Sequence, residues 1–270
     1  MGNLLIIRIM NKRYIFAALL LLLLPVCMLQ AQDTDFNTRT SVAIDWKLRK
    51  GLHLNAEYEL RTQDALAGIE RHQATVGLEY KINSWLKAGA DYIYIGHYNT
   101  DDSFKPRHRF SANLIGTFDA GDWRFSLREK LQLTHYAYSV NTFQQPKNAL
   151  QLKSRFNVKY RGFDRVEPFA YIEVRNIFNA PRCSATYSTT SESWKDYEFL
   201  GYDYAYVNRV RYAIGLDWKL SKQHSISFTG MLSNCRDWDI DTNKSGTKLK
   251  SMGWDKSRKA TLCVGYTFSF

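Results

Sequence analysis

Arginine side chains recur at alternate positions along this chain, on the face of each stretch that also carries most of its carboxylates. Clustered guanidinium groups focus a positive field, which attracts anions. One interpretation is an anion-attracting pore or an acidic-ligand site that a small anionic solute would occupy. In the other, arginines and carboxylates pair and fill a narrow interior. Both rest on Arg61, Arg71, Arg107, Arg109, Arg124, Arg128, Arg155, Arg175, Arg209 and Arg211.

Residues suited to catalysis are few. His97, Asp101 and Asp102 fall together beside a predicted loop, where such a set could perform acid–base chemistry on a water. Glu129 and His135 share the apolar face of one stretch, but no serine stands in a convincing relation to His135. A solvated loop explains the first group, and a register slip, a bulge or a headgroup contact explains the second. We therefore predict no catalytic residue.

The predicted longest loop, 179–203, is rich in aromatic residues. Exposed aromatic rings on such a loop could bind sugars or a partner. Alternatively, the loop folds back over the mouth of the fold and its rings form a lid. The candidate binding residues are Tyr187, Trp194, Tyr197, Phe199 and Tyr202.

The sequence gives no support for a cofactor. It lacks the HExxH and CxxC spacings of metal and redox sites, and it lacks the glycine-rich loops that hold nucleotides. We expect no metal and no cofactor. Cys183 and Cys235 fall in or beside predicted loops and could pair, or they could remain separate thiols, because three cysteines after the leader are not a disulfide framework.

The elements that carry these residues read as alternating β-strands. The last stretch is the clearest, because every second residue from Ala260 to Phe270 is apolar. Similar segments recur from Phe36 onward. Short connections (49–51, 82–84, 119–122, 162–166, 221–224) alternate with longer ones (62–70, 98–106, 139–149, 179–203, 236–257). This rhythm is typical of outer-membrane barrels, which have short periplasmic turns and long outer loops.

The apolar faces separate a membrane barrel from a soluble β-sandwich. Across all segments one charge, Glu129, lies mid-strand on the apolar face, whereas the opposite face holds many charges. That contrast fits a barrel in lipid. Tryptophans near strand ends, such as Trp46, Trp85, Trp123 and Trp218, suit interfacial belts. We predict an all-β antiparallel transmembrane barrel of about 10–12 strands. Eleven segments are visible, but such barrels have an even number, so we expect ten or, preferably, twelve, with a missed strand near the N-terminus or in Thr186–Phe199.

Residues 1–31 differ from the rest. Lys12 and Arg13 precede a compact apolar run that ends at Ala31, which predicts a cleaved secretory signal peptide and a barrel domain over 32–270; Met10 is an alternative start. The net charge is +11, and removal of Arg8, Lys12 and Arg13 leaves 11 − 3 = +8. For an exported chain, this charge points to anionic lipid headgroups, lipopolysaccharide or an anion-attracting lumen rather than nucleic acid.

Several strands carry a recognisable texture: Glu57–Arg61, Arg71–Lys81, Trp85–Tyr92, Phe125–Lys130, Arg155–Tyr160 and Glu167–Glu173. This texture resembles the Bacteroidetes outer-membrane barrel family DUF2490, over nearly the whole mature chain. The resemblance implies an outer-membrane location and assigns no catalytic residue. The last strand also resembles the closing strand of bacterial barrels, whose terminal aromatic, here Phe270, the insertion machinery recognises.

These observations predict a non-enzymatic barrel: a narrow pore with a basic lumen, a structural barrel or a surface-binding barrel. The alternative is a barrel enzyme that hydrolyses lipid or peptide at the outer rim. A third interpretation is a soluble periplasmic β-sandwich.

Overall fold

The part of the chain that the structure describes folds into a closed β-barrel of eleven strands. A computed structural model describes residues 34–63, 68–98 and 103–270. Each strand pairs with the next, and the barrel closes between its first and last strands. The strands are β1 Thr34–Arg49, β2 Leu52–Gln63, β3 Gly68–Lys81, β4 Leu86–Tyr98, β5 Phe104–Ala120, β6 Trp123–Tyr136, β7 Asn148–Tyr160, β8 Val166–Ser188, β9 Ser193–Lys219, β10 His224–Thr242 and β11 Leu249–Ser269.

The two faces of the wall follow the period-2 pattern. Val42, Val76, Leu114, Leu131 and Leu262 point outward and are largely exposed, although they are aliphatic. An aliphatic outer surface on a closed barrel is the arrangement of transmembrane barrels, whose outer face contacts lipid. The predicted all-β barrel fold is therefore confirmed. Among the residues that the structure describes, no helix is long and apolar enough to cross a bilayer.

Connections distinguish the two ends of the barrel. At the turn end, adjacent strands are joined by the short segments 50–51, 82–85, 121–122, 161–165 and 220–223. At the loop end, the prediction of long loops is wrong in two places. Most of 179–203 belongs to β8 and β9, which are joined by the turn 189–192, and most of 236–257 belongs to β10 and β11, which are joined by 243–248. Both are long hairpins that extend beyond the barrel wall.

The expectation of an even strand number is also wrong for the described residues. Since all consecutive pairs are antiparallel, an odd count makes β1 and β11 run in the same direction. Three contacts show the parallel register of this seam: Asp35 with Lys259 at 3.5 Å, Ser41 beside Gly265, and the amide of Phe270 donating to the carbonyl of Asp45 at 2.9 Å. Thr34 therefore lies at the loop end and Phe270 at the turn end.

Aromatic rings surround the turn end. Trp46, Trp85, Trp123 and Trp218 are all largely exposed there. The ring of Trp123 packs against Tyr160 with centroids 4.9 Å apart. Tryptophan prefers the boundary between lipid and water, and transmembrane barrels have aromatic girdles like this collar at their interfaces.

Gly215 provides a test of the wall's packing. A Cβ atom there would lie less than 3.0 Å from the carbonyl oxygen of Phe228 and 2.6 Å from the ring of Phe169. The backbone oxygen is held in the β9–β10 ladder and cannot move away cheaply. We expect Gly215→Ala to reduce the free energy of unfolding by about 1–3 kcal/mol, measured by urea titration of the refolded barrel.

The matched control is Gly253→Ala, because a Cβ on Gly253 would meet nothing within 4 Å. We expect that change to stay within about 0.5 kcal/mol of the wild type. Equal losses at the two positions would contradict close packing at Gly215.

Candidate functional site: the barrel interior

Cavities lie at three levels inside the barrel. The loop-end cavity has a volume of about 300 Å³, the central cavity about 460 Å³ and the turn-end cavity about 400 Å³. Two arginines, Arg39 of β1 and Arg211 of β9, line all three cavities; their strands are separated in the wall by β10 and β11. These two side chains therefore border every level, and a solute that crossed the barrel would pass beside them.

A buried carboxylate organises the centre of the wall. Register places Arg128, Arg155, Glu173 and Arg211 in one row across β6 to β9. The Glu173 side chain is 3% exposed. Its Oε2 accepts from Arg155 at 2.6 Å and from Arg128 at 3.4 Å, and its Oε1 accepts from Arg211 at 3.0 Å. We name this set the Glu173 row; one carboxylate there holds three guanidinium groups.

Other interior cations toward the turn end also have acidic partners. Lys130 donates to Asp91 and Lys159 donates to Asp217, each at 2.6 Å. Lys219 contacts Glu167. This part of the interior therefore fits the interpretation in which charges pair and fill the lumen.

The loop-end cavity differs, because it is lined by cations that lack acidic partners. Lys153 lies opposite Arg175, and Arg175 lies opposite Arg209, so three cations stand side by side across β7, β8 and β9. Directly opposed like charges destabilise a sheet. The Nε atoms of Arg175 and Arg209 are buried and have no hydrogen-bond partner within the described chain.

Arg39 and Arg109 complete this group, which we name the cation cluster (Arg39, Arg109, Lys153, Arg175 and Arg209). Among the described residues, Arg109 donates to the hydroxyl of Thr134, at 2.8 Å. None of the five forms a salt bridge with a described residue, although Asp237 and Asp255 line the same cavity. The cluster can therefore attract anions, because within the described ranges no carboxylate lies at salt-bridge distance from its five cations.

Eight of the ten arginines singled out by the sequence line these cavities: Arg61, Arg71, Arg109, Arg128, Arg155, Arg175, Arg209 and Arg211. The other two do not. Arg124 lies at the turn end, bonded to Asp119 at 2.7 Å, and Arg107 lies over the rings of Tyr136 and Tyr138. Arg39 and Lys153 were not among the candidates. Their position on the charged face of their strands was the signal that could have identified them.

The aromatic stretch predicted as a loop lies on the β8–β9 hairpin. At its tip, Tyr187 and Trp194 pack against each other across the turn, with ring centroids 5.2 Å apart. Tyr197 has a buried hydroxyl with no hydrogen-bond partner among the described residues. Nothing in this geometry identifies a ligand, so surface binding by these rings stays a prediction.

Further along the hairpin, Phe199 and Tyr202 contact the 137–147 connection. Phe143 packs on Phe199 at 5.4 Å, and the Tyr202 hydroxyl donates to the carbonyl of Thr142. The same connection reaches β10, since Gln144 donates to Asp241 at 2.8 Å. Segment 137–147 thus ties the two long hairpins together at the loop end, and these two rings have a structural role.

The cysteines are separate thiols in the structure. Cys183, Cys235 and Cys263 are all free. Cys183 contacts the sulfur of Met252 at 3.3 Å, and the cross-strand partner of Met252 is Ile240, which is 2% exposed. Burial raises the pKa of the Cys183 thiol. This thiol belongs to a small apolar core between the hairpins.

Of the candidate catalytic residues, Glu129 and His135 are not brought into a common site. His135 bonds to Asn148 at 2.8 Å, whereas Glu129 accepts from Ser154 at 2.6 Å. Asp101 and Asp102 lie outside the described residues, as does the predicted signal peptide. Within the described ranges, no three histidine, cysteine or acidic residues group in a way that could hold a metal ion.

Comparisons with known proteins come from sequence and structure. Curated protein sequences give no match. One solved structure, the outer-membrane expressed OmpT of Vibrio cholerae, has 11% sequence identity and a TM-score of 0.37; the match covers 77% of this chain and 58% of that one. The family model DUF2490, described as a protein of unknown function, matches residues 36–244. The chain therefore belongs to the DUF2490 family.

Proposed function

We propose that this protein is a non-enzymatic barrel of the outer membrane that admits small anionic solutes to its interior from the loop end. The observation that carries the proposal is the cation cluster, whose five side chains line a cavity of about 300 Å³ and form no salt bridge with a described residue. A cluster of this kind raises the local concentration of anions by about tenfold or more. Arg39 and Arg211 then restrict which solutes pass from the loop-end cavity toward the turn end.

The cellular setting is part of the proposal. Residues 1–31 would direct export, the turn end would face the periplasm, and the loop end would face the exterior. The aromatic collar and the aliphatic outer face support placement in lipid. Phe270, at the end of the closing strand, would be read by the barrel-insertion machinery. Lipid and lipopolysaccharide are the expected surroundings of the wall.

Single-channel conductance in a planar bilayer tests the proposal. The refolded mature chain should give stable steps, and a salt gradient should give a reversal potential that indicates anion preference. We expect Arg39→Gln with Arg109→Gln to reduce the anion-to-cation permeability ratio by about tenfold, because neither arginine forms a salt bridge with a described carboxylate that the change would free.

Arg124→Gln is the matched control, since Arg124 is an arginine at the turn end that is paired with Asp119. It should leave the permeability ratio unchanged. Cation preference, or an equal effect of the control, would contradict an anion pathway. A correctly folded but silent barrel would favour the paired, filled interior instead.

A further inference from the structure

We propose that the outer face of β10 and β11 binds the phosphate groups of an outer-leaflet glycolipid through Arg236, Lys256 and Arg258. This site is separate from the interior. Its three side chains point away from the lumen, on the same face of β10 and β11 as the lipid-facing Leu232 and Leu262. All three residues are exposed.

The position of the three cations along the barrel axis follows from the length of the apolar run on each strand. On β11 the outward positions from Phe268 back to Ala260 are apolar, and Arg258 and Lys256 come next. That apolar run spans nine residues, which is the length a tilted strand needs to cross the hydrocarbon core. On β10 the outward positions Ile226 to Leu232 are apolar, and Asn234 and Arg236 follow. The cations therefore lie where the hydrocarbon ends on the loop-end side, at headgroup depth.

The pairing of the strands makes the cluster costly without a ligand. Arg236 and Lys256 are direct cross-strand partners, and Arg258 is opposite Asn234. Directly opposed like charges destabilise a sheet. None of the three cations forms a salt bridge with any described residue. An anion between them would remove the repulsion, and a phosphate matches both a guanidinium fork and an ammonium point charge.

The neighbouring rings hold the site in place. The guanidinium of Arg236 lies 3.7 Å from the ring centroid of Trp254, which in turn packs on Trp238 at 5.1 Å. Tyr206 of the β8–β9 hairpin covers Trp254 at 5.1 Å. The hairpin thus covers the tryptophans but leaves the three cations exposed. An arginine anchored on a packed ring, directly above an apolar wall, fits a ligand that has both phosphates and acyl chains.

Native mass spectrometry of the refolded barrel in non-ionic detergent tests the site, with bisphosphorylated lipid A as the probe. We expect a bound lipid, and we expect the variant Arg236→Gln, Lys256→Gln, Arg258→Gln to bind on the order of a hundredfold more weakly. The control Arg182→Gln with Lys195→Gln removes two exposed cations from the β8–β9 hairpin. It should bind like the wild type.

Three results would overturn the inference: equal binding by the triple variant, equal binding of dephosphorylated lipid A, or displacement of the lipid by inorganic phosphate at similar concentration. The last would indicate a site for the free ion rather than for a lipid headgroup. Binding is read independently of conductance, so an unselective channel that still holds lipid A would contradict the proposed function and leave this site standing. Should the triple variant fail to refold, Lys256→Gln alone is measured by the same criteria.

Discussion

Glu173→Gln should cost the barrel about 3–5 kcal/mol of unfolding free energy, the loss typical when one partner of a buried ion pair is removed. The glutamine keeps the shape but loses the charge that compensates Arg128, Arg155 and Arg211. The Glu173 side chain is 3% exposed, so solvent compensates the three guanidinium groups poorly once the carboxylate charge is lost. Urea unfolding of the refolded barrel, followed by tryptophan fluorescence, measures the difference.

The matched control is Glu79→Gln at the turn end. Glu79 accepts from Lys87 at 2.7 Å, but both side chains are partly exposed. An exposed pair of this kind contributes about 0–1 kcal/mol, so the control should be nearly as stable as the wild type. If the two variants lost the same small amount, the Glu173 row would be hydrated, and its role in holding β6 to β9 together would have to be abandoned.

The faces of the strands could be predicted from the sequence, but the ends could not. Alternation identifies the lumen side of β2 to β7, because successive residues of a strand in the barrel wall face the lumen and the outer surface in turn. The β8–β9 hairpin lost this signal, since beyond Ile177 it leaves the barrel and its register shifts repeatedly, for example between Ala180 and Arg182. Polar and aromatic residues then mix on both faces, and the stretch resembles a loop.

The interior charges were predicted as a set, but not their partners. Partner choice depends on register between strands that are distant in sequence: Lys130 of β6 reaches Asp91 of β4, and Glu173 meets Arg211, 38 positions away. The cation cluster could not be predicted for the same reason. Lys153, Arg175 and Arg209 look like any other lumen cations in the sequence, and only register places them side by side without an acid.

The prediction of an even number of strands failed for a different reason. An even count follows if the first and last strands are antiparallel, and nothing in a single strand's pattern records the direction of its neighbour. Eleven segments could be counted in the sequence, and the described part of the chain has eleven strands. The parallel seam between β1 and β11 allows the barrel to close with an odd number of strands. Parallel pairing is slightly weaker per residue than antiparallel pairing.

An engineered disulfide across this seam should form readily and stabilise the barrel strongly. A Cβ atom on Gly265 would lie 3.1 Å from Oγ of Ser41, so Ser41→Cys with Gly265→Cys brings two thiols within bonding range. The background should carry Cys263→Ala, because Cys263 lies on the same face two residues away. The bond would close a loop that spans nearly the whole barrel. The entropic model then gives about 5 kcal/mol of added unfolding free energy.

Non-reducing gel migration and urea unfolding with and without reductant measure the outcome. The control pair, Ser41→Cys with Ser257→Cys in the same background, places the second thiol eight residues along β11, which is about 26 Å away at the rise of a strand. It should not cross-link in the folded barrel. A bond in the control pair, or none in the test pair, would mean that β1 and β11 do not meet in the parallel register. Because unpaired strand edges are not tolerated in lipid, a test pair that cross-links would also show that the odd-stranded barrel is closed.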